Sequence, residues 1–102
     1  MWVMPDLSFT AEIIEWRGPS PFYFAPLPPE MADRIRTIAT QLSYGWGVIP
    51  VAAVIHGVAF RTSLIPRDGT YLLPLKDSVR RSAAVRLGDP VEVELSFAAP
   101  KL

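Results

Sequence analysis

Basic side chains are concentrated in the segment 61–86, where their spacing suits anion binding. The segment carries six lysines and arginines: Arg61, Arg67, Lys76, Arg80, Arg81 and Arg86. Lys76 and Arg80 lie one helical turn apart near the start of a predicted helix, where backbone N–H groups also favour an anion. The pattern indicates a site for a phosphate or a carboxylate. The alternative is an ordinary solvated helix face, on which Asp77 and Arg81 form an i,i+4 pair.

Residues from other segments complete the candidate site. Arg61 and Ser63 share the polar face of a predicted strand and would join the two cations if that hairpin folds toward the helix. Trp46 and Tyr71 would supply flat walls for a ligand. The predicted ligand-binding residues are Trp46, Arg61, Ser63, Tyr71, Lys76 and Arg80.

Most catalytic and metal chemistry is not expected. The chain has no cysteine, which excludes disulfides, thiolate metal sites and cysteine nucleophiles. The one histidine, His56, lies beside Gly57 in a predicted turn, where a polar turn residue is the ordinary interpretation and an acid–base role the alternative. A single histidine with scattered carboxylates does not make a metal site, and Glu92 and Glu94 are solubilising charges on an outer strand face. We therefore predict no catalytic residue, no metal and no cofactor.

The composition is that of one small globular domain. The 102 residues include ten basic and ten acidic side chains, and half of all residues are apolar. This balance gives no net field that would attract nucleic acid or a membrane, so neither is an expected partner. The longest apolar run, 48–55, is too short to span a bilayer, and the N-terminus lacks a leader pattern. We predict a single cytoplasmic domain over residues 1–102.

Short strands dominate the predicted elements. Alternating apolar residues and turn signals predict six of them: Leu7–Glu15, Phe22–Phe24, Val48–Ile55, Val58–Ile65, Tyr71–Leu73 and Val91–Phe97. One helix begins in the segment 27–30 and ends near Gly45, and a shorter one covers Lys76–Val85. These elements predict a mainly β fold, a small closed or partly closed antiparallel β-barrel of about six strands with two short helices, because closure removes exposed strand edges. The first and last strands both carry outward glutamates, so we expect them not to pair along those residues.

Four segments carry a resemblance to a known family. They are Gly45–Val51, Phe60–Pro66, Gly69–Lys76 and Gly88–Val93, joined by Val79-Arg80-Arg81. From about Phe9 to Phe97 the chain resembles the bacterial family called domain of unknown function 1905. The positions that match its recurrent motif are Thr62, Ser63, Leu64, Pro66, Tyr71, Lys76, Arg80, Gly88 and Asp89. The resemblance implies a small β-barrel with helical elements, found alone or beside a domain similar to the YdeI/OmpD-associated proteins, and it transfers no catalytic residue.

The strand before the hairpin turn departs from that family pattern. Similar sequences alternate polar and apolar residues there, whereas Val51-Ala52-Ala53-Val54-Ile55 is apolar on both faces. Either the strand is covered on both sides or it offers a surface for self-association.

Three functions remain open. The preferred hypothesis is a non-enzymatic binding module that presents Arg61, Lys76 and Arg80 to an anionic small molecule or an acidic partner. The second is a homodimeric scaffold or interaction domain that uses the apolar strand 48–55. The third is a hydrolase-like enzyme that uses Ser63 or Tyr71 together with Lys76, which would require a tuned base.

Overall fold

The computed structural model describes residues 7–16, 22–42, 49–67 and 69–97, of which 38–42 are described by their backbone alone. The strands are β1 (Leu7–Glu12), β2 (Ile14–Trp16), β3 (Phe22–Pro26), β4 (Ile49–Ile55), β5 (Val58–Arg67), β6 (Thr70–Pro74) and β7 (Pro90–Phe97). The helices are α1 (Ala32–Leu42), which follows a short 3-10 turn at Pro29–Met31, and α2 (Asp77–Ala83).

The described strands form one antiparallel sheet in the order β1-β7-β4-β5-β6-β3-β2. The mainly β class, the antiparallel pairing and the two short helices are confirmed. The sheet has seven strands rather than six, and it curls into a half-barrel that is not fully closed. The extra strand arises because the predicted first strand is two strands in the structure.

Ile13 divides that first strand. Its N–H donates to the Asp89 carbonyl at 3.0 Å, and its own carbonyl accepts from the Gly88 N–H at 2.9 Å. These contacts to a distant turn bend the chain, so that β1 pairs with β7 while β2 pairs with β3 at the other end of the sheet. The two outermost strands are therefore consecutive in the chain, and a covalent link rather than a ladder of hydrogen bonds joins them.

The first and last strands are neighbours, in a register that keeps their glutamates apart. Ser8 lies opposite Glu94, Thr10 opposite Glu92 and Glu12 opposite Pro90. No glutamate of β1 faces a glutamate of β7, so the like-charge repulsion that would oppose the pairing is avoided. The strands pair, but not along those acids.

Apolar side chains from the concave face of the sheet and from both helices fill one core. The largest fully buried ones are Ile13, Leu27, Ile35, Ile49, Ile55, Leu64, Leu73, Val91, Val93 and Leu95. Val79 and Ala83 of α2 point inward, as their spacing predicts. Among the described residues no charged side chain is buried, and Tyr71 is the one buried residue whose side chain carries a polar atom.

The hairpin and the second helix have defined ends. His56 and Gly57 both have positive φ, of 49° and 79°, in a two-residue turn whose twist matches that of β4 and β5. The imidazole Nδ1 of His56 lies 3.2 Å from the Ala83 carbonyl at the end of α2. That helix ends two residues before the predicted Val85, because Ala84 adopts φ 57° and the Val85 N–H returns to the Arg80 carbonyl.

Candidate functional site

Four neighbouring strands present apolar side chains outward. The register places Trp16 opposite Phe22, Ile14 opposite Phe24, Phe24 opposite Pro74 and Ile65 opposite Leu72. Phe22 is 61% exposed and Trp16 46% exposed, whereas Phe24 and Leu72 on the same side of the sheet are each only 6% exposed. We call the outward side of β2, β3, β6 and the second half of β5 the aromatic face. Large apolar side chains that share one surface patch usually mark a site of interaction.

A groove of about 820 Å³ runs along the aromatic face to the start of α2. Its lining residues are Trp16, Phe22, Tyr23, Phe24, Ile65, Pro74, Leu75, Lys76, Asp77 and Arg80. Its volume is in the range typical of small-molecule sites. Its walls are aromatic and aliphatic over most of their length, and its charged groups all lie at the α2 end. The groove therefore has an apolar body and a charged end.

Arg80 is held in place at the charged end. Its guanidinium carbon lies 3.7 Å from the centroid of the Tyr23 ring, and its Nε donates to the Leu75 carbonyl at 3.2 Å. One terminal nitrogen lies 3.6 Å from an Asp77 oxygen. The Leu75 N–H in turn donates to the Tyr23 carbonyl at 2.9 Å, which fixes the strand that carries the ring. The cation is therefore oriented before any ligand arrives.

Lys76 differs from Arg80 in that its side chain has no ion-pair or hydrogen-bond partner among the described residues. It is also exposed. Asp77, the acid beside it, is shared by Arg80 and by Arg81, which lies 3.2 Å from its other oxygen. The charge of Lys76 is consequently the one at this end that a bound anion would neutralise.

A second hollow of about 400 Å³ adjoins the groove and shares Trp16 and Phe24 with it. Between the two, the guanidinium of Arg67 lies over the Trp16 ring at 3.4 Å from the centroid. The stacked pair forms a ridge, and it places a third cation on the aromatic face.

The structure brings only part of the predicted site together. Lys76 and Arg80 line the groove. Arg61 and Ser63 point outward from β5 on the same side as Ile65, which lines the groove. Arg61 is four residues from Ile65, about 13 Å along the strand, and does not line the groove. Tyr71 points inward and belongs to the core at 6% exposed. Trp46 lies outside the described residues.

Sequence reasoning missed the aromatic walls. Trp16 lies just beyond the predicted first strand, which ends at Glu15, but in the structure it is the last residue of β2. Phe22 and Phe24 were recognised as strand residues without a role. The usable signal was their spacing. Phe22 and Phe24 are two residues apart and share one face of the strand, whereas Tyr23 points to the other face, so the three rings cannot all face the same core.

The described residues offer little for catalysis. They contain no group of three or more histidine, aspartate or glutamate side chains that could hold a metal ion. His56 is engaged at the end of α2, and Tyr71 is buried away from Lys76, which is exposed.

The fold and the groove define a small β-barrel-like domain with an aromatic groove on its convex side. The chain belongs to the family described as Domain of unknown function (DUF1905), whose model matches residues 9–95. No curated protein matches the chain. None of the helices among the described residues is long and apolar enough to cross a membrane.

Proposed function

We propose that this protein is a non-enzymatic binding module whose groove takes an anionic small molecule with a flat apolar ring. The observation that carries the proposal is the division of the groove into an aromatic body and a cationic end. An aromatic ring gains from burial against Trp16, Phe22 and Phe24. A carboxylate or phosphate on that ring would then lie beside Lys76 and Arg80.

Shape favours a small molecule over an acidic protein partner. The groove is about 820 Å³ and concave, a size that encloses most of a ligand of a few rings. The acids near it also argue against a broad acidic surface, because Asp77 lies at the same end and Glu15 lines the adjoining hollow. An extended acidic partner would meet both carboxylates, whereas a small anion at Lys76 need not.

The probe for this proposal is 2-naphthoate, with the neutral 2-naphthamide and with acetate as matched controls. Binding is followed by thermal shift and by two-dimensional NMR of the labelled protein. We expect 2-naphthoate to raise the melting temperature and to move resonances of the groove residues. The amide should bind about fivefold to tenfold more weakly, and acetate should bind hardly at all, because charge and ring each contribute about 1 kcal/mol.

Variants locate the two contributions. Lys76→Ala should weaken 2-naphthoate about fivefold and 2-naphthamide less, because it removes the charge, which only the acid needs, together with an aliphatic stem that both compounds contact. Phe22→Ala should weaken both compounds. Arg34→Ala, an exposed arginine on α1, is the control that should change neither. Equal affinity for the acid and the amide, or an equal loss in Arg34→Ala and Lys76→Ala, would show that the groove does not read charge.

A further inference from the structure

The outward side of β4 has no polar residue on it. Pro50, Ala52 and Val54 point away from the core and are half-buried, while Val51 and Ala53 point into it. An outer face normally carries polar residues. We call Pro50, Ala52 and Val54 the apolar stripe. Neither the aromatic face nor the proposed groove includes it, so the proposed function leaves it unexplained.

The strands on either side of β4 flank the stripe with opposite charges. On the β5 side Arg61 lies beside Ala52, and on the β7 side Glu94 lies beside Val54. Ser63, Ala59 and Ser96 occupy the remaining flanking positions in the described register. The face therefore has a narrow apolar centre, a positive margin and a negative margin. We call the outward side of β7, β4 and the first half of β5 the β4 face.

The two charges do not satisfy each other within one chain. Two strand spacings and one two-residue step along the strands separate their Cα atoms by about 12 Å. In the described part of the chain neither side chain makes an ion pair or a hydrogen bond. Both are exposed and available to a partner.

We propose that a second copy of this chain covers the β4 face in a two-fold dimer. With the two-fold axis in the interface and parallel to β4, the β5 side of one copy lies over the β7 side of the other. Arg61 of each copy then meets Glu94 of the other diagonally, and the contact occurs twice. Ala52 and Val54 meet their own counterparts near the axis.

Self-complementarity is the reason for choosing a second copy over a different protein. An isologous interface requires a patch that matches itself after rotation, and a positive margin facing a negative one across an apolar centre meets that requirement. The alanines and serine in and beside the stripe let two sheets approach to the spacing of about 10 Å that face-to-face sheets adopt. Three short strands bury less area than a standard interface, so the dimer is expected to be weak and concentration-dependent.

Charge-reversal variants, measured alone and as an equimolar mixture, test whether Arg61 of one copy meets Glu94 of the other. Sedimentation equilibrium at low salt measures the dimer dissociation constant of the wild type, of Arg61→Glu and of Glu94→Arg. Each reversal places like charges opposite each other twice, so each variant alone should dissociate at least about tenfold more readily. An equimolar mixture of the two variants should recover dimers, because every contact is again between opposite charges. Raising the salt concentration should weaken the wild-type dimer.

Arg34→Glu reverses a charge on α1, away from both outer faces, and is the matched control. It should dimerise like the wild type. A wild type that remains monomeric up to its solubility limit would overturn the proposal. So would a mixture of the two reversed variants that is no more dimeric than either alone. A dimer that Phe22→Ala dissociates and the charge reversals leave intact would place the contact on the aromatic face and would equally overturn it.

Discussion

Replacing Arg80 with alanine should destabilise the domain even though the residue lies at its surface. The side chain is only 21% exposed and makes three contacts, to the Tyr23 ring, to the Leu75 carbonyl and to Asp77. The stack at 3.7 Å contributes about 0.5–1 kcal/mol at a partly desolvated site. The hydrogen bond to a backbone carbonyl adds about 0.5–1 kcal/mol, and the exposed ion pair at 3.6 Å adds almost nothing. The expected loss is therefore about 1–2 kcal/mol.

Urea unfolding of the wild type and of two neighbouring variants measures this loss. Arg81→Ala is the matched control, because Arg81 also pairs with Asp77 on the same helix but is 75% exposed and has no ring beneath it. We expect Arg81→Ala to change the free energy of unfolding by less than about 0.5 kcal/mol. For a domain of this size, Arg80→Ala should lower the melting temperature by roughly 4–12 °C.

A lysine at position 80 separates charge from geometry. Arg80→Lys keeps the positive charge, but lysine lacks the planar guanidinium. Its ammonium group cannot both stack on the Tyr23 ring and replace the hydrogen bond from Nε to the Leu75 carbonyl. It should recover less than half of the stability lost in Arg80→Ala. Full recovery by lysine, or equal losses in Arg80→Ala and Arg81→Ala, would refute the argument that stacking and the backbone hydrogen bond hold this cation.

Two further pairs of substitutions, each a variant with its control, test the local geometry of the fold by urea unfolding. Ala84→Gly should stabilise the protein by about 1 kcal/mol, because Ala84 has φ 57° at the end of α2, whereas Ser82→Gly inside the helix should cost about 0.5 kcal/mol; a loss in both would mean that the left-handed residue carries no strain. Ile13→Ala should cost about 2–5 kcal/mol because Ile13 is fully buried at the bend of the first strand, and Ile14→Ala, at 38% exposed, should cost less than about 1 kcal/mol. Equal costs for the two isoleucines would contradict the division of the strand at Ile13.

Local signals predicted the elements whose pairing is local. The β4–β5 hairpin follows from a two-residue turn with glycine, and its register is confirmed across seven residue pairs from Ile49–Leu64 to Ile55–Val58. The alternation of Val91, Val93 and Leu95 predicted β7 for the same reason, since a period of two directs every second side chain to the core. Helix α2 ended early because its stop is set by one left-handed alanine, which has no strong sequence preference for that conformation.

The bend at Ile13 could not be predicted from the first strand alone. Buried and exposed side chains alternate without interruption from Leu7 to Ile14, so the residue pattern is that of a straight strand. The cause is non-local, since the Ile13 peptide bonds to residues 88 and 89 at the far end of the chain. The pairing of β1 with β7 is likewise non-local: the shared acidity of the two strands predicts only that their glutamates do not lie opposite each other, and the register keeps those glutamates apart.

The same reasoning explains why the predicted site residues do not all lie together in the structure. Tyr71 and Tyr23 are both aromatic residues in short strands, and their sequences do not distinguish a wall of the groove from a core residue. Both side chains point to the core side of the sheet, where Tyr71 is buried and Tyr23 packs partly buried against the core with its ring beneath Arg80. Lys76 and Arg80 lie close together because they are one helical turn apart, which the sequence alone shows. Which aromatic residues lie side by side depends instead on how the strands pair.

The apolar residues on the convex side are the part of the sequence that the fold does not require. A half-barrel of this kind needs apolar side chains on its concave side only, and serine or threonine would serve the outer side of every strand. Yet that side is apolar in two places, at Phe22 and Trp16 near one edge of the sheet and at Ala52 and Val54 on β4 in its interior, and Ser63 on β5 lies between them. Stability does not explain such residues, because an exposed ring gains little from folding. Contacts outside the chain would explain them, and the two proposals made above assign these contacts to different molecules: a small anion at Lys76 and a second copy's Glu94 at Arg61.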